Sequence, residues 1–309
     1  MGLILQKCGY ILAVLVINLY ICSYLGTKLG ARIEQKKGIL NTRFGGLGYP
    51  AIKLGKYITK KSRVSIYHLL LFVSSLLVWA ILPITQNLFL VDINSNFFIS
   101  ILFYIIILML LVFSSQPGYG FLFANSFKQS VVLVSFFIPV LINFLSVILL
   151  ARAINLKDLV NLQYEYWNIV FQPLGFVLVF ISIIVQVKIL GIFRDSNFSV
   201  GTLTSIHQGL PGLINRVAKY VLLFYLIIML NIFYLGGWLG LHLVSGWIML
   251  GIKFYLIFIA LLIFEKSIPR LDNYKYLVDI NWKFIVPASG FNFVFTLIFL
   301  VYRNIFNLV

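Results

Sequence analysis

The sequence predicts an all-α polytopic membrane protein with about eight transmembrane helices and an amphipathic interfacial helix in the first loop. Of its 309 residues, 61% are hydrophobic and only 10% are charged, and the mean hydropathy is +1.03. A soluble domain of this length would need a much larger share of polar surface residues. Apolar runs of about 20 residues recur along the chain, and each is long enough to cross a bilayer core of roughly 30 Å.

The apolar runs predict a single transmembrane domain over residues 1–309, since no soluble domain, repeat or linker interrupts them. A basic loop at residues 28–65 separates the first two spans. The eight spans are predicted at about 8–27, 66–85, 97–115, 128–150, 169–190, 217–236, 241–264 and 284–303.

Lysine and arginine residues are concentrated in alternate loops, and this pattern predicts the orientation of the chain. The loops after spans one, five and seven carry most of the positive charge, whereas the loops after spans two and six carry none. The positive-inside rule therefore places the odd-numbered loops on the cytoplasm-like side. The net charge of +16 follows this topology, which favours anionic lipid headgroups or acidic subunits as partners over nucleic acid.

Within the first loop, residues 50–61 predict a short helix that lies along the membrane interface. Ile52, Leu54 and Ile58 alternate with Lys53 and Lys56 at helical spacing, and Pro50 is well placed at the helix start. A basic amphipathic helix of this kind typically binds a bilayer surface. A solvated basic turn is the alternative interpretation of the same segment.

The titratable residues do not predict a catalytic or metal site within this chain. All eight acidic residues lie in predicted loops or at span ends, and the three histidines are scattered. Charged side chains inside spans are costly and usually functional. Lys188 and above all Lys253, which lies mid-span, are therefore candidates for a functional intramembrane charge or a buried pair.

Two motifs resemble a known family. The first loop reads Lys36-Lys37-Gly38-Ile39-Leu40, then Gly46-Leu47, Tyr49-Pro50 and Lys56-Tyr57-Ile58-Thr59-Lys60. Near the C-terminus come Pro269-Arg270, Trp282-Lys283 and Pro287, and a weaker match is Pro173-Leu174 with Phe180-Ile181-Ser182. These residues resemble subunit 1 of mitochondrial NADH:ubiquinone oxidoreductase (respiratory complex I), which also has eight spans, and the resemblance covers nearly the whole chain.

The resemblance implies a core subunit of the complex I membrane arm that forms part of the ubiquinone cavity and couples electron transfer to proton translocation. It would not be an enzyme alone; it would bind no cofactor itself, and ubiquinone would be the substrate of the complex. The implied partners are the quinone-site subunits of the peripheral arm and anionic lipids such as cardiolipin. The implied location is the mitochondrial inner membrane, with the basic loops in the matrix. The residues expected at the quinone cavity and the docking surface are Lys28, Lys36, Lys37, Gly38, Gly46, Pro50, Lys56, Pro269 and Arg270.

The sequence departs from the family where the family carries acidic residues. Gly26 and Thr27 stand where the family has Glu-Arg, and the segment after span five is nearly acid-free. A loop without glutamate cannot relay protons by carboxylate titration. Two alternatives therefore stay open: a transporter or channel with eight helices, in which Lys253 and the glycine- and proline-rich stretches 116–120 and 208–212 form a site between half-helices, and a scaffold subunit that has lost the proton relay.

Overall fold

The computed structural model describes residues 2–35, 46–85, 96–114, 120–193, 209–240, 245–268 and 274–305. All regular elements in these ranges are helices, and seven helical segments are long and apolar enough to cross a membrane, with Ile66–Ile81 as a shorter apolar helix. The prediction of an all-α polytopic membrane protein is confirmed. The helices are α1 Gly2–Ile33, α2 Tyr49–Thr59, α3 Ile66–Ile81, α4 Asn96–Ser114, α5 Gly120–Ala151, α6 Leu156–Asn161, α7 Asn168–Phe171, α8 Pro173–Leu190, α9 Leu210–Tyr234, α10 Gly246–Ser267, α11 Tyr274–Ile280 and α12 Val286–Ile305.

Prolines set several helix boundaries that differ from the predicted spans. Helix α3 ends at Ile81, four residues before the predicted end of its span, because Pro83 has no N–H and keeps the preceding residue extended. Predicted span five is divided at Gln172, since Pro173 begins α8 as a new helix. In the last span, one π-helical turn at Asn281–Ile285 joins α11 to α12 just before Pro287, so the helical segment starts ten residues earlier than predicted.

Helix α9 forms the centre of the bundle. Its spanning window is 94% buried, whereas that of α1 is only 17% buried. Aromatic rings fill the space around it: Phe144 of α5 stacks on Phe233 at 4.2 Å between ring centroids, and Tyr104 of α4 stacks on Tyr225 at 5.2 Å. Such pairs add to the packing that holds helices together in a bilayer, where burial of apolar surface gives no net drive.

A second set of contacts joins α5, α8 and α12 through uncharged polar side chains. Asn143 donates to Ser289 at 2.9 Å and accepts from Asn292 at 2.9 Å. Gln172 extends the set by accepting from Ser146 at 3.0 Å and donating to Thr296 at 2.9 Å. Hydrogen bonds of this type between helices fix their rotation and depth relative to one another.

Candidate functional site

The predicted interfacial helix is present as α2, and it is held at the end of the bundle where the basic segments meet. The hydroxyl of Tyr20 on α1 donates to the Leu47 carbonyl just before α2. The guanidinium of Arg216 on α9 donates to Tyr57 at 3.4 Å. The chain after α2 packs on the start of α9, where a Cβ at Gly209 would lie 2.7 Å from the Lys60 carbonyl oxygen. Helix α2 is therefore a fixed part of the fold.

Helix α2 exposes aliphatic and basic side chains together. Ile52 and Ile58 are 52% and 63% exposed, and Lys56 is exposed beside them. Lys53 lies over the Tyr49 ring, with its ammonium 5.6 Å from the ring centroid. Pro50 occupies the first turn of the helix, as the sequence predicted, and it is buried there. This combination is typical of a helix that contacts both a hydrocarbon boundary and a charged surface.

Four residues named for the quinone and docking surface fall in the described part of the chain. Lys28 lies on α1, which continues to Ile33, six residues past the predicted end of span one; its ammonium donates to Tyr24 at 2.5 Å. Gly46 has a φ of +89°, a conformation that only glycine adopts without strain. Gly46, Pro50 and Lys56 follow one another into α2. Lys36, Lys37, Gly38, Pro269 and Arg270 lie outside the described residues.

A charged cluster at the same end of the bundle contains Lys188, a sequence candidate, together with partners that the sequence did not predict. Lys188 is buried near the end of α8, and its ammonium donates to the backbone carbonyls of Glu265 at 2.8 Å and Ile268. Glu265 itself is the only buried acidic residue within the described ranges. Lys266 forms an ion pair with Glu34, with 2.5 Å between the ammonium and Oε1. The sequence signals were Lys188, which was a candidate intramembrane charge, and the pair Glu265-Lys266 just past the predicted end of span seven.

Lys253 makes backbone contacts at the opposite end of the bundle. Its ammonium donates to the carbonyls of Leu235, Gly237 and Leu239, the second at 3.1 Å, and lies 4.4 Å from the ring centroid of Trp167. A lysine has three donors, and all three are used here. The ammonium of Lys253 also lies near the C-terminus of α9, the negative end of the helix dipole, which favours a positive charge. In this structure Lys253 is therefore a cap for the end of α9.

The positions of Lys253 and of the two glycine- and proline-rich stretches are also relevant to the transporter alternative. The stretch 208–212 leads into the start of α9, where Pro211 occupies the first turn, so it does not break a span. The stretch 116–120 lies outside the described residues except for Gly120, the first residue of α5. Over the described ranges, no three His, Cys, Asp or Glu side chains come close enough to hold a metal ion. Within the described residues, the Lys253 ammonium contacts backbone carbonyls after α9 and the Trp167 ring, and no broken span lies against it.

Comparison with known proteins identifies the family. The model of the NADH dehydrogenase family matches residues 6–297. The H 2 subunit of the NADH-quinone oxidoreductase of Rhizobium etli is 24% identical over 96% of this chain and 93% of its own length. The corresponding H 2 subunit of Rhizobium meliloti is 22% identical over 95% and 96%. The H subunit of Brevibacillus brevis is 24% identical over 79% of this chain and 74% of its own length.

These three relatives are bacterial, so the mitochondrial location stays a prediction. The match nevertheless extends from the first span through most of the last and confirms the resemblance that the two motifs carried. A multi-pass membrane component of a multi-subunit NADH-quinone oxidoreductase is the coarse function that follows. The chain belongs to the NADH dehydrogenase family and is a homologue of subunit 1 of respiratory complex I, called the H subunit in bacteria.

Proposed function

We propose that this chain forms the membrane side of the ubiquinone cavity in its complex, and that α2 borders the entrance of that cavity. Ubiquinone combines an apolar tail with a polar headgroup. A protein that admits it from the bilayer needs an apolar edge beside a polar surface. The single observation that carries this proposal is that α2 exposes Ile52 and Ile58 next to Lys56, while Tyr20 and Arg216 hold it against the bundle.

The same end of the chain is the proposed docking surface for the peripheral-arm subunits. Beyond α2, exposed basic residues continue through Lys60, Lys61 and Arg63. Positive charge of this density steers acidic partners and binds anionic headgroups, cardiolipin included. The iron–sulfur clusters and flavin would belong to other subunits, and this chain would bind no cofactor itself.

Proton coupling is the second part of the proposal, and it takes an unusual form. Apart from Glu265, the acidic residues in the described ranges lie at the surface, and the interior contacts between helices are amides and hydroxyls such as Asn143, Gln172 and Tyr104. Hydroxyl groups and water both donate and accept protons, whereas amides mainly orient them. The proposed coupling therefore uses Glu265, water, lysines and neighbouring subunits in place of a row of glutamates.

We place the protein in the mitochondrial inner membrane with its basic end in the matrix. Its 29 phenylalanines and 17 tyrosines, together with abundant isoleucine, asparagine and lysine, fit an AT-rich organellar gene. The charge asymmetry between the two ends of the bundle supports the orientation.

Charge reversal on α2 tests the quinone and docking proposal. We expect Lys53→Glu/Lys56→Glu to weaken association with the peripheral arm or to raise the KM for quinone, because both changes place negative charge on this surface. The control is Lys157→Glu, at the opposite end of the bundle. The readouts are a native gel stained for NADH oxidation and the steady-state rate of quinone reduction in membranes. Normal assembly and normal quinone kinetics in the double variant would refute the proposal.

A scaffold that has lost the proton relay is the second candidate, and the uncharged helix interfaces favour it. Both candidates predict assembly into an NADH-oxidising complex. They differ in proton movement, which a pH-sensitive dye reports when the complex is reconstituted in sealed vesicles. Quinone reduction accompanied by dye quenching supports coupling, and quinone reduction without it supports the scaffold.

A further inference from the structure

Two glycines let α1 approach the rest of the bundle closely at the basic end. Gly26 and Gly30 lie one turn apart and form a G-x-x-x-G pattern, which is typical of tight helix contacts in membranes. A Cβ at Gly26 would lie 3.1 Å from Cδ1 of Phe193, and one at Gly30 would lie 3.3 Å from Cε of Lys266. Larger side chains at either position would push α1 away from the turn after α8 and from the end of α10.

Lys266 joins three elements at this contact. Its ammonium, on the last turn of α10, pairs with Glu34 just past the end of α1 at 2.5 Å and donates to the carbonyl of Phe193 at 3.0 Å. Its side chain is 9% exposed, and that of Glu34 is 31% exposed. The positive charge also lies at the negative end of the α10 dipole. The contact thus combines an ion pair with a helix cap.

Lys188 completes the arrangement from the other side. It lies on α8 and donates to carbonyls at the end of α10, while Lys266 lies on α10 and donates to the turn after α8. Each helix therefore satisfies carbonyl groups that the other helix leaves open at its C-terminus. This reciprocal contact fixes the ends of α8 and α10 relative to each other and gives α1 a firm surface.

Away from this end, α1 packs mainly through apolar side chains, with Ile11, Leu15 and Cys22 buried in the core. Its spanning window is the least buried in the described chain, and one polar contact away from this end is that of Tyr255, which donates to Asn18 at 2.6 Å. Helix α1 in turn contacts α2 through the Tyr20 hydroxyl and the Leu47 carbonyl. A shift of α1 at the Lys266 contact would therefore reach α2.

We propose that Lys266 is a positioning residue for quinone binding. Together with Gly26, Gly30 and Glu34 it forms a joint that holds α1, and through α1 the helix α2, at a fixed distance from α8 and α10. This rests on the proposed function of α2 at the quinone cavity. Loosening the joint changes the geometry of the cavity edge and leaves NADH oxidation in the peripheral arm untouched.

The test compares Lys266→Met with Lys266→Arg in the assembled complex in native membranes. Lys266→Met should raise the KM for a short-chain quinone about fivefold with a smaller effect on kcat. The reason is that a small displacement of α2, the element proposed to contact the quinone, weakens quinone binding. Lys266→Arg keeps the charge and the donors and should restore most of the affinity. NADH oxidation by ferricyanide should be unchanged in both. Ser267→Ala, at the exposed neighbour, is the matched control.

Hydrogen–deuterium exchange of the α2 backbone amides in the assembled complex separates the possible failures, because it needs no protease access at the proposed docking surface. Faster exchange together with a raised KM supports the joint and its role. Faster exchange with unchanged quinone kinetics overturns both the positioning role and the proposed function of α2. Unchanged exchange and unchanged kinetics overturn the joint alone. If Lys266→Met does not assemble, Gly30→Ala tests the same joint, because its added methyl group must displace Lys266.

Discussion

Lys253→Met should destabilise the protein, because it removes the cap at the end of α9. The substitution takes a nearly buried ammonium from three carbonyl groups, those of Leu235, Gly237 and Leu239. These carbonyls belong to the irregular segment after α9, in which Gly236 and Gly237 have positive φ, so no helix continues to satisfy them.

The expected size follows from two opposing contributions. Hydrogen bonds between helices in membranes average about 0.6 kcal/mol, whereas a buried group left without its partner loses about 1–3 kcal/mol. Against this, methionine avoids the cost of keeping an ammonium near the bilayer core. With three bonds lost and one charge removed, we expect a net loss of about 2 kcal/mol. At about 2–4 °C per kcal/mol, the midpoint of thermal unfolding would fall by about 4–8 °C.

A fluorescent fusion of the chain, heated in detergent and separated by size exclusion, measures this midpoint. Ile252→Met is the matched control, since it places the same side chain at an exposed neighbouring position. Lys253→Arg should fall between the two, because it keeps the charge in a longer side chain. A midpoint for Lys253→Met equal to that of Ile252→Met would refute the capping role. Unchanged stability with lost quinone reduction would instead make Lys253 a functional intramembrane charge.

Two further predictions concern interior packing and a second residue that caps the end of α9. Gly175→Ala should destabilise the fold by about 1–3 kcal/mol, because its Cβ would lie 2.8 Å from the Tyr234 hydroxyl in a filled interior, whereas Gly251→Ala, with no atom within 4 Å, should be neutral or slightly stabilising. Gln163→Leu should cost about 2–4 kcal/mol, since buried Gln163 donates to the Ile232 carbonyl at 2.7 Å and accepts from the Gly236 N–H at 3.1 Å. Thermal unfolding of the same fusion measures the stability of both variants. Gly251→Ala is the control for the first prediction, and Asn161→Leu, at an exposed position, is the control for the second. A variant whose unfolding midpoint equals that of its control would contradict the corresponding prediction.

The architecture was predictable because its signal is local. Apolar runs placed the spans, and the spacing of Ile52, Lys53 and Lys56 behind Pro50 predicted α2. Two of the boundaries that differed are explained by a single residue that acts on its neighbours: Pro83 shortens α3, and Pro173 divides the fifth span. Lys36, Lys37 and Arg270 stay predictions, because they lie outside the described residues.

The partners of the buried charges were not predictable, since backbone carbonyls carry no sequence signal. In the sequence, Lys253 is an isolated charge within a span. In the folded chain, the turn at Gly236 and Gly237 brings three backbone carbonyls to its ammonium. Glu34 and Lys266 are 232 residues apart, and only the packing of α1 on α10 brings them together. The spacing of Gly26 and Gly30 was visible in the sequence, but the surface it contacts was not.

The central position of α9 also has a consequence for biogenesis. Helix α9 contains Asn215, Lys219 and Asn231, all buried, and part of its cover comes from α10, which is synthesised later. Its capping lysine follows the carbonyls that it satisfies by 14 to 18 residues. A nascent chain that has released α9 into the bilayer therefore leaves the carbonyls of Leu235, Gly237 and Leu239 without Lys253 until α10 arrives. Ribosome-attached intermediates of that length should be the ones that depend most on an insertase.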